Sequence, residues 1–267
     1  MLDLFAGIGG ATIAGDSLGI KTTRFIEINP DAKLVLAHRF PNIPIHDDIR
    51  TYHPSPGEHD IHWVSFPCTG TSSAGLRTGL DHPESALWFE ALRCIADSKP
   101  SFVIIENPPG VISRGLRAIL GGLRVVGYCW DDPQIISAEE LGAPQERKRL
   151  FIVAYPDYLR QRFREIPTSW GDQIRAELEA VYQTRGQATP SSTRLDDGLP
   201  PWLGGIRVNG WWAENPAPFY CGMRRHTPKR RECNDLYARS VIPEQAAIAL
   251  RRVLYLHSLS TSNCQVE

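Results

Sequence analysis

The sequence has no surplus of charge, no paired cysteine spacing, no long apolar run and no internal repeat. Lysine and arginine total 29 against 30 aspartates and glutamates, a net charge of −1. Global charge therefore does not announce a polyanionic partner. The six cysteines, Cys68, Cys94, Cys129, Cys221, Cys233 and Cys264, are scattered. That argues against a disulfide framework and for a reducing compartment. Cys221, His226 and Cys233 could supply three metal ligands, but they lack a Cys-x-x-Cys knuckle, and no metal is expected. No apolar run approaches the ~20 residues of a membrane span. The chain starts directly in a strand-loop pattern, without a signal-peptide pattern.

What is present fits one large α/β domain with a small one. The 267 residues are 42% apolar, enough for a sizeable core. Met1 to Phe5 reads as a short strand, Ala6-Gly7-Ile8-Gly9-Gly10 as a glycine loop, and Ala11 to Leu18 as a helix stopped by Gly19. Strand, glycine loop and helix together form the first unit of a nucleotide-binding fold. The glycines let backbone approach a ligand and leave helix N-terminal amides open. Thr22 to Ile28 is the next strand and carries Glu27, about 20 residues after the loop, where a carboxylate can accept from ribose hydroxyls. A helix over Pro30 to Phe40 and a third strand over Pro44 to Ile49 follow, with Asp48 placed to accept from an adenine amino group.

Ile61 to Phe66 is an apolar run that delivers Pro67-Cys68 into a loop of Thr69, Gly70, Thr71, Ser72 and Ser73. A loop cysteine alone can be a small filler residue or a nucleophile. Phe102 to Ile105 is a second continuous apolar run, and it ends in Glu106-Asn107. A carboxylate at the tip of a buried strand is costly unless paired or functional. In an open parallel sheet, ligands bind at the carboxyl ends of strands, so Cys68 and Glu106 can share one crevice. Between them, helices are expected over Ser85 to Ala96 and, later, Leu116 to Leu123. Tyr128 to Ile136 reads as a strand, and Leu150 to Ala154 as another, preceded by Gln145-Glu146-Arg147-Lys148-Arg149. Arg147 and Arg149 alternate and share one face.

After Pro156 the texture becomes irregular, and four of the seven tryptophans fall between there and Asp235. A helix is expected over Gly171 to Tyr182. Arg224, Arg225, Lys229, Arg230 and Arg231 form the densest basic cluster, suited to phosphate contacts. Pro243 to Leu256 reads as an amphipathic helix.

Together these pieces resemble the cytosine-5 DNA methyltransferase family. The glycine loop from Asp3 to Gly10 looks like its cofactor loop, and Pro67-Cys68 matches its nucleophile motif. Glu106-Asn107 matches its Glu-Asn motif, and Gln145-x-Arg147-x-Arg149 its Gln-x-Arg-x-Arg motif, all in the family's order. The likeness covers residues 1–155 strongly and 236–256 weakly.

The resemblance implies a doubly wound, Rossmann-like S-adenosylmethionine-dependent methyltransferase domain over 1–156. It implies a small irregular target-recognition domain over 157–235, and a final segment over 236–267 whose helix returns to the large domain. The expected catalytic residues are Cys68, Glu106, Arg147 and Arg149. The cofactor would be held by Phe5, Ala6, Gly7, Ile8, Gly9, Glu27, Ile28, Asp48, Ile49, Pro67, Ser240 and Val241. Ser72, Arg77, Arg224, Arg225, Lys229, Arg230 and Arg231 would meet DNA.

The implied activity is methylation of carbon 5 of a flipped-out cytosine in duplex DNA, by a monomeric, cytoplasmic, nucleoid-associated enzyme of bacterial or phage origin. Methylation of transfer RNA, or a catalytically impaired DNA-binding homologue, are the alternatives. The chain departs from the family at Thr69 (usually Gln), Pro108 (usually Val) and Ala238-Arg239, where the family has Gly-Asn.

Overall fold

A computed structural model describes residues 1–67, 86–143, 146–185 and 236–261. Its strands are β1 (Leu2–Leu4), β2 (Arg24–Ile26), β3 (Ile45–His46), β4 (Ile61–Val64), β5 (Phe102–Asn107), β6 (Tyr128–Trp130), β7 (Gln134–Ser137) and β8 (Lys148–Pro156). They form one sheet in the order β3-β2-β1-β4-β5-β8-β6, with β7 also paired to β8. The first five strands are parallel, and β8 runs antiparallel to β5. The strand order reverses between β1 and β4, the place where such sheets open a crevice at their carboxyl ends.

Burial explains why these short runs become strands. Every residue of β4 and β5 is buried, as expected where helices cover both faces. Side chains alternate between two cores. Trp63, Ile104, Phe151 and Val153 face α1 (Gly10–Ser17), α7 (Trp170–Arg185) and α8 (Pro243–Thr261). Val64, Val103, Ile105 and Ile152 face α3 (Leu87–Ser98), α4 (Val111–Arg114) and α5 (Leu116–Val125). Each such side chain contributes about 1.5–3 kcal/mol by leaving water.

At the edge, α2 (Pro30–Arg39) sets Leu36 against Phe25. Its start is written in sequence: the Asn29 side chain accepts from the Asp31 and Ala32 amides, and Pro30 occupies the first turn. A four-residue α6 (Asp157–Arg160) follows β8.

Two expected elements differ. The third strand is only Ile45–His46, because Asp48 caps a 3-10 turn at Ile49–Thr51 and diverts the chain. The strand expected over 128–136 breaks at Pro133, which has no amide to continue a ladder. Its halves, β6 and β7, pair with successive parts of β8: Tyr128 lies opposite Pro156, and Ser137 opposite Lys148.

Packing also continues past the expected domain boundary at 157. Trp170 and Ile174 of α7 are buried in the same core as α8. Arg252, nearly fully buried, donates through Nε to Asp131 at 2.6 Å and through Nη1 to the Thr168 carbonyl at 2.9 Å. Residues 157–180 are thus fastened to the sheet layer. The basic cluster at 224–231 and Cys221, His226 and Cys233 lie outside the described residues. Among the described residues no helix is long and apolar enough to cross a membrane, and no group of three His, Cys, Asp or Glu residues is placed to hold a metal.

Candidate active site

The glycine loop turns sharply at the end of β1. Phe5, Gly7 and Gly9 have φ of 62°, 55° and 83°. A left-handed phenylalanine is uncommon and stores strain, which clusters where a site must hold a shape. At Gly7 a Cβ would meet nothing within 4 Å, so the loop faces open space there. The Gly7 amide donates to Glu27 Oε2 and the Asn29 amide to Oε1, both at 2.7 Å. These bonds fix the Glu27 carboxyl beside the loop. Burial raises its pKa, while the Asn29, Gly7 and Ile28 amides and the charge of Arg239 pull the other way.

Beside Glu27, Ile28 is 60% exposed, an apolar side chain left open to solvent at the tip of β2. The Glu27 amide bonds to the His46 carbonyl, which brings the ends of β2 and β3 together. Asp48 sits just beyond β3 and pairs with Arg50 at 2.9 Å. The Arg50 bonds depress its carboxyl pKa. Ile49 is buried, with its carbonyl held by Arg93 at 2.8 Å. Phe5, Ala6, Gly7, Ile8, Gly9, Glu27, Ile28, Asp48 and Ile49 therefore gather at the carboxyl ends of β1, β2 and β3.

The residues expected to be catalytic begin one strand over. The register of β4 on β5 sets Val64 opposite Ile105, so the next residues, Ser65 and Phe66, run beside Glu106 and Asn107. Asn107, 2% exposed, donates from Nδ2 to the Phe66 carbonyl at 3.0 Å. Pro67 is the last described residue before Cys68. Cys68, Ser72 and Arg77 lie outside the described residues, as does Gln145. Glu106 is 5% exposed, and Arg149 Nε lies 2.9 Å from its Oε1. The buried carboxylate is thus paired, as burial demands.

Arg147 lies on the same approach to β8. It donates from Nη2 to the carbonyls of Ala238 at 2.7 Å and Ser240 at 2.5 Å, a different segment from the one that holds Glu106. Alternation along a strand gave it the same face as Arg149, but it lies just before β8 begins. Ser240 and Val241 are buried against Gly10, where a Cβ would overlap the Val241 carbonyl oxygen. One residue that the sequence named only as part of a motif, and one that it did not single out, matter here. Asn107 ties two strand ends together. Gln245, fully buried in the first turn of α8, donates to the carbonyls of Ile136 at 2.8 Å and Arg147 at 2.6 Å. A buried amide one turn into an apolar helix was the signal available for Gln245.

The sequence model of the C-5 cytosine-specific DNA methylase family matches residues 1–193. The chain belongs to that family. It is 33% identical over 159 residues to the type II methyltransferase M.MspI of Moraxella sp, covering 58% of this chain and 38% of that protein. It is 31% identical over 230 residues to the type II methyltransferase M2.BsuMI of Bacillus subtilis (strain 168), covering 83% of this chain and 56% of that one. The chain spans about half the length of the curated relatives it matches. The crystal structure of the S. pombe Dnmt2 methyltransferase superposes with a TM-score of 0.53 at 19% identity, covering 80% of this chain and 62% of that chain. At that identity the likeness is one of fold. It agrees with the Rossmann-like α/β architecture seen here.

Proposed function

We propose that this chain methylates carbon 5 of cytosine in duplex DNA, using S-adenosylmethionine and a covalent Cys68 adduct, as a DNA-modification enzyme of the type II restriction-modification kind. The observation that carries the reading is the buried Glu106–Arg149 pair at the carboxyl end of β5. Asn107, the next residue, holds the strand end that leads into Pro67-Cys68.

The residues present fit the cofactor. The Glu27 carboxyl stands beside an open glycine loop and suits ribose hydroxyls. The exposed Ile28 offers an apolar surface to an adenine ring, with Asp48, Ile49, Phe5, Ala6, Ile8, Gly9 and Pro67 around the same strand ends. Ser240 and Val241 complete the seat from the C-terminal segment. When bound, the cofactor supplies an electrophilic methyl group.

The chain's own residues explain why carbon 5 becomes a nucleophile. It is unreactive in the intact ring. Attack of the Cys68 thiolate on carbon 6 breaks the 5,6 double bond and makes carbon 5 electron-rich. A proton carried between the Glu106 carboxyl and ring N3 offsets the negative charge that attack develops on the ring, and the carboxyl also accepts from the exocyclic amino group. Arg149 holds Glu106 in place. After methylation, removal of the proton on carbon 5 restores the double bond and expels the Cys68 thiolate. Glu106 needs the Watson–Crick edge of the base, so the cytosine must leave the stack.

Residues 157–180 are tied to the sheet layer, so sequence recognition belongs to the stretch from 186 to 235, with Arg224, Arg225, Lys229, Arg230 and Arg231 on phosphates. Ser72 and Arg77 approach the DNA from the Cys68 loop. No metal takes part, and the enzyme acts as a cytoplasmic monomer on the nucleoid. The test is the product: incubation with S-adenosylmethionine and mixed-sequence duplex DNA should yield 5-methylcytosine. A folded, cofactor-binding chain that yields none contradicts the reading.

A further inference from the structure

We propose that Arg147 is a positioning residue for the cofactor seat rather than a support for the target base. The inference rests on the methyltransferase reading above and assigns one of its arginines a different task. Arg147 Nη2 donates to the carbonyls of both Ala238 and Ser240, the two neighbours of Arg239. Fixing the peptides on both sides of Arg239 sets the direction of that residue and the path of the chain into Ser240-Val241. That path runs against the first turn of α1. Gly10 is there, and the absence of a side chain lets the Val241 carbonyl and the Ser240 hydroxyl approach.

The anchor is itself fixed. The Arg147 carbonyl accepts from the Ala138 amide at 3.2 Å and from Gln245 Nε2 at 2.6 Å. Gln245 also grips the Ile136 carbonyl, so β7, the start of β8 and the first turn of α8 meet at one point. Both bonds leave one terminal nitrogen, Nη2, whose two hydrogens can serve one carbonyl each. A one-turn helix at 236–239 precedes Ser240. The consequence reaches the glycine loop, since Gly10 follows directly on Gly7 and Gly9. The charge of Arg239 is felt at Glu27, whose pKa burial raises and whose amide partners and Arg239 lower.

The experiment is calorimetric binding of S-adenosylhomocysteine to wild type, Arg147→Ala, Arg147→Lys and Arg252→Met, with steady-state methyl transfer alongside. Arg147→Ala should raise Kd about ten- to a hundredfold, the size expected for losing charge-assisted hydrogen bonds. KM for S-adenosylmethionine should rise in parallel, with kcat at saturation close to wild type. Arg147→Lys should fall between. Arg252→Met removes a buried tie far from the loop. It should lower the melting temperature and leave Kd within about twofold, which separates positioning from general weakening.

An Arg147→Ala chain that binds with wild-type Kd but turns over slowly overturns the proposal and returns Arg147 to the base. If that variant does not fold, Arg147→Lys decides in the same way. A folded wild type that binds no S-adenosylhomocysteine overturns the cofactor reading itself, and this inference with it.

Discussion

Arg149 Nε lies 2.9 Å from Glu106 Oε1, across neighbouring antiparallel strands and on one face of the sheet. Each group needs the other, because a buried carboxylate or guanidinium alone is strongly unfavourable. Arg149→Ala should cost about 3–5 kcal/mol, the usual penalty for leaving a buried charge unpaired. It should also slow methyl transfer by at least about a hundredfold, as removal of one preorganised charge stabiliser does. The double variant Glu106→Gln with Arg149→Met removes both charges and should regain much of the stability while staying inactive. Urea melts and a methyl-transfer assay check both halves. Activity of the double variant within about tenfold of wild type would show that the pair is only structural.

Asn107 acts one residue further along β5 and on the opposite face. Its Nδ2 donates to the Phe66 carbonyl, two residues before Cys68. Asn107→Ala leaves that carbonyl without its amide partner and frees the strand end. The expected result is a kcat lowered about ten- to a hundredfold, the cost of misplacing a reacting group by about an ångström, with Kd for S-adenosylhomocysteine unchanged. A raised Kd with normal kcat would place Asn107 with the cofactor loop instead.

Asp3 gives the fold a pH dependence of defined sign. It is buried under the glycine loop, 1% exposed, and accepts from Thr12 Oγ1 at 3.1 Å. Burial raises its pKa to about 7; the Thr12 bond opposes this and the Glu27 charge adds to it. The folded state therefore holds a proton that the unfolded chain, with an ordinary aspartate pKa of 3.8, has released. Stability from this group is full below about pH 4 and is lost as pH rises to about 7. Asp3→Asn, which cannot ionise, should gain stability relative to wild type steadily across that window and then level off. Urea midpoints at half-unit steps of pH measure it. Parallel curves for the two proteins would show that Asp3 ionises in the folded state as freely as in water.

The parts of the site that lie along the chain were legible, and the parts made by chain segments meeting were not. Glu106 could be read because a charged residue ends an apolar run, and Glu27 because it follows a glycine loop at a set distance. The cores of β4 and β5 were legible because strands covered on both faces are apolar throughout. The division of one expected strand into β6 and β7 depended on β8 being nine residues long and able to pair with both. The Arg147 contact spans 91 residues of sequence to Ala238, and nothing local to Gln145-x-Arg147-x-Arg149 announces it. The same holds for Gln245, whose amide satisfies backbone groups on two distant strands. The change of texture after Pro156 was visible, but α7 returns to the core through Trp170 and Ile174. An apolar face in a polar neighbourhood gave too little warning of that.

The central claim is that Cys68 attacks cytosine in duplex DNA. The direct measurement is transfer of labelled methyl groups from S-adenosylmethionine to mixed-sequence duplex DNA by wild type and by Cys68→Ser. The expected result is label recovered as 5-methylcytosine with wild type and none with Cys68→Ser, both proteins melting alike and binding S-adenosylhomocysteine equally. Label on cytosine carbon 5 from the Cys68→Ser protein would contradict the account.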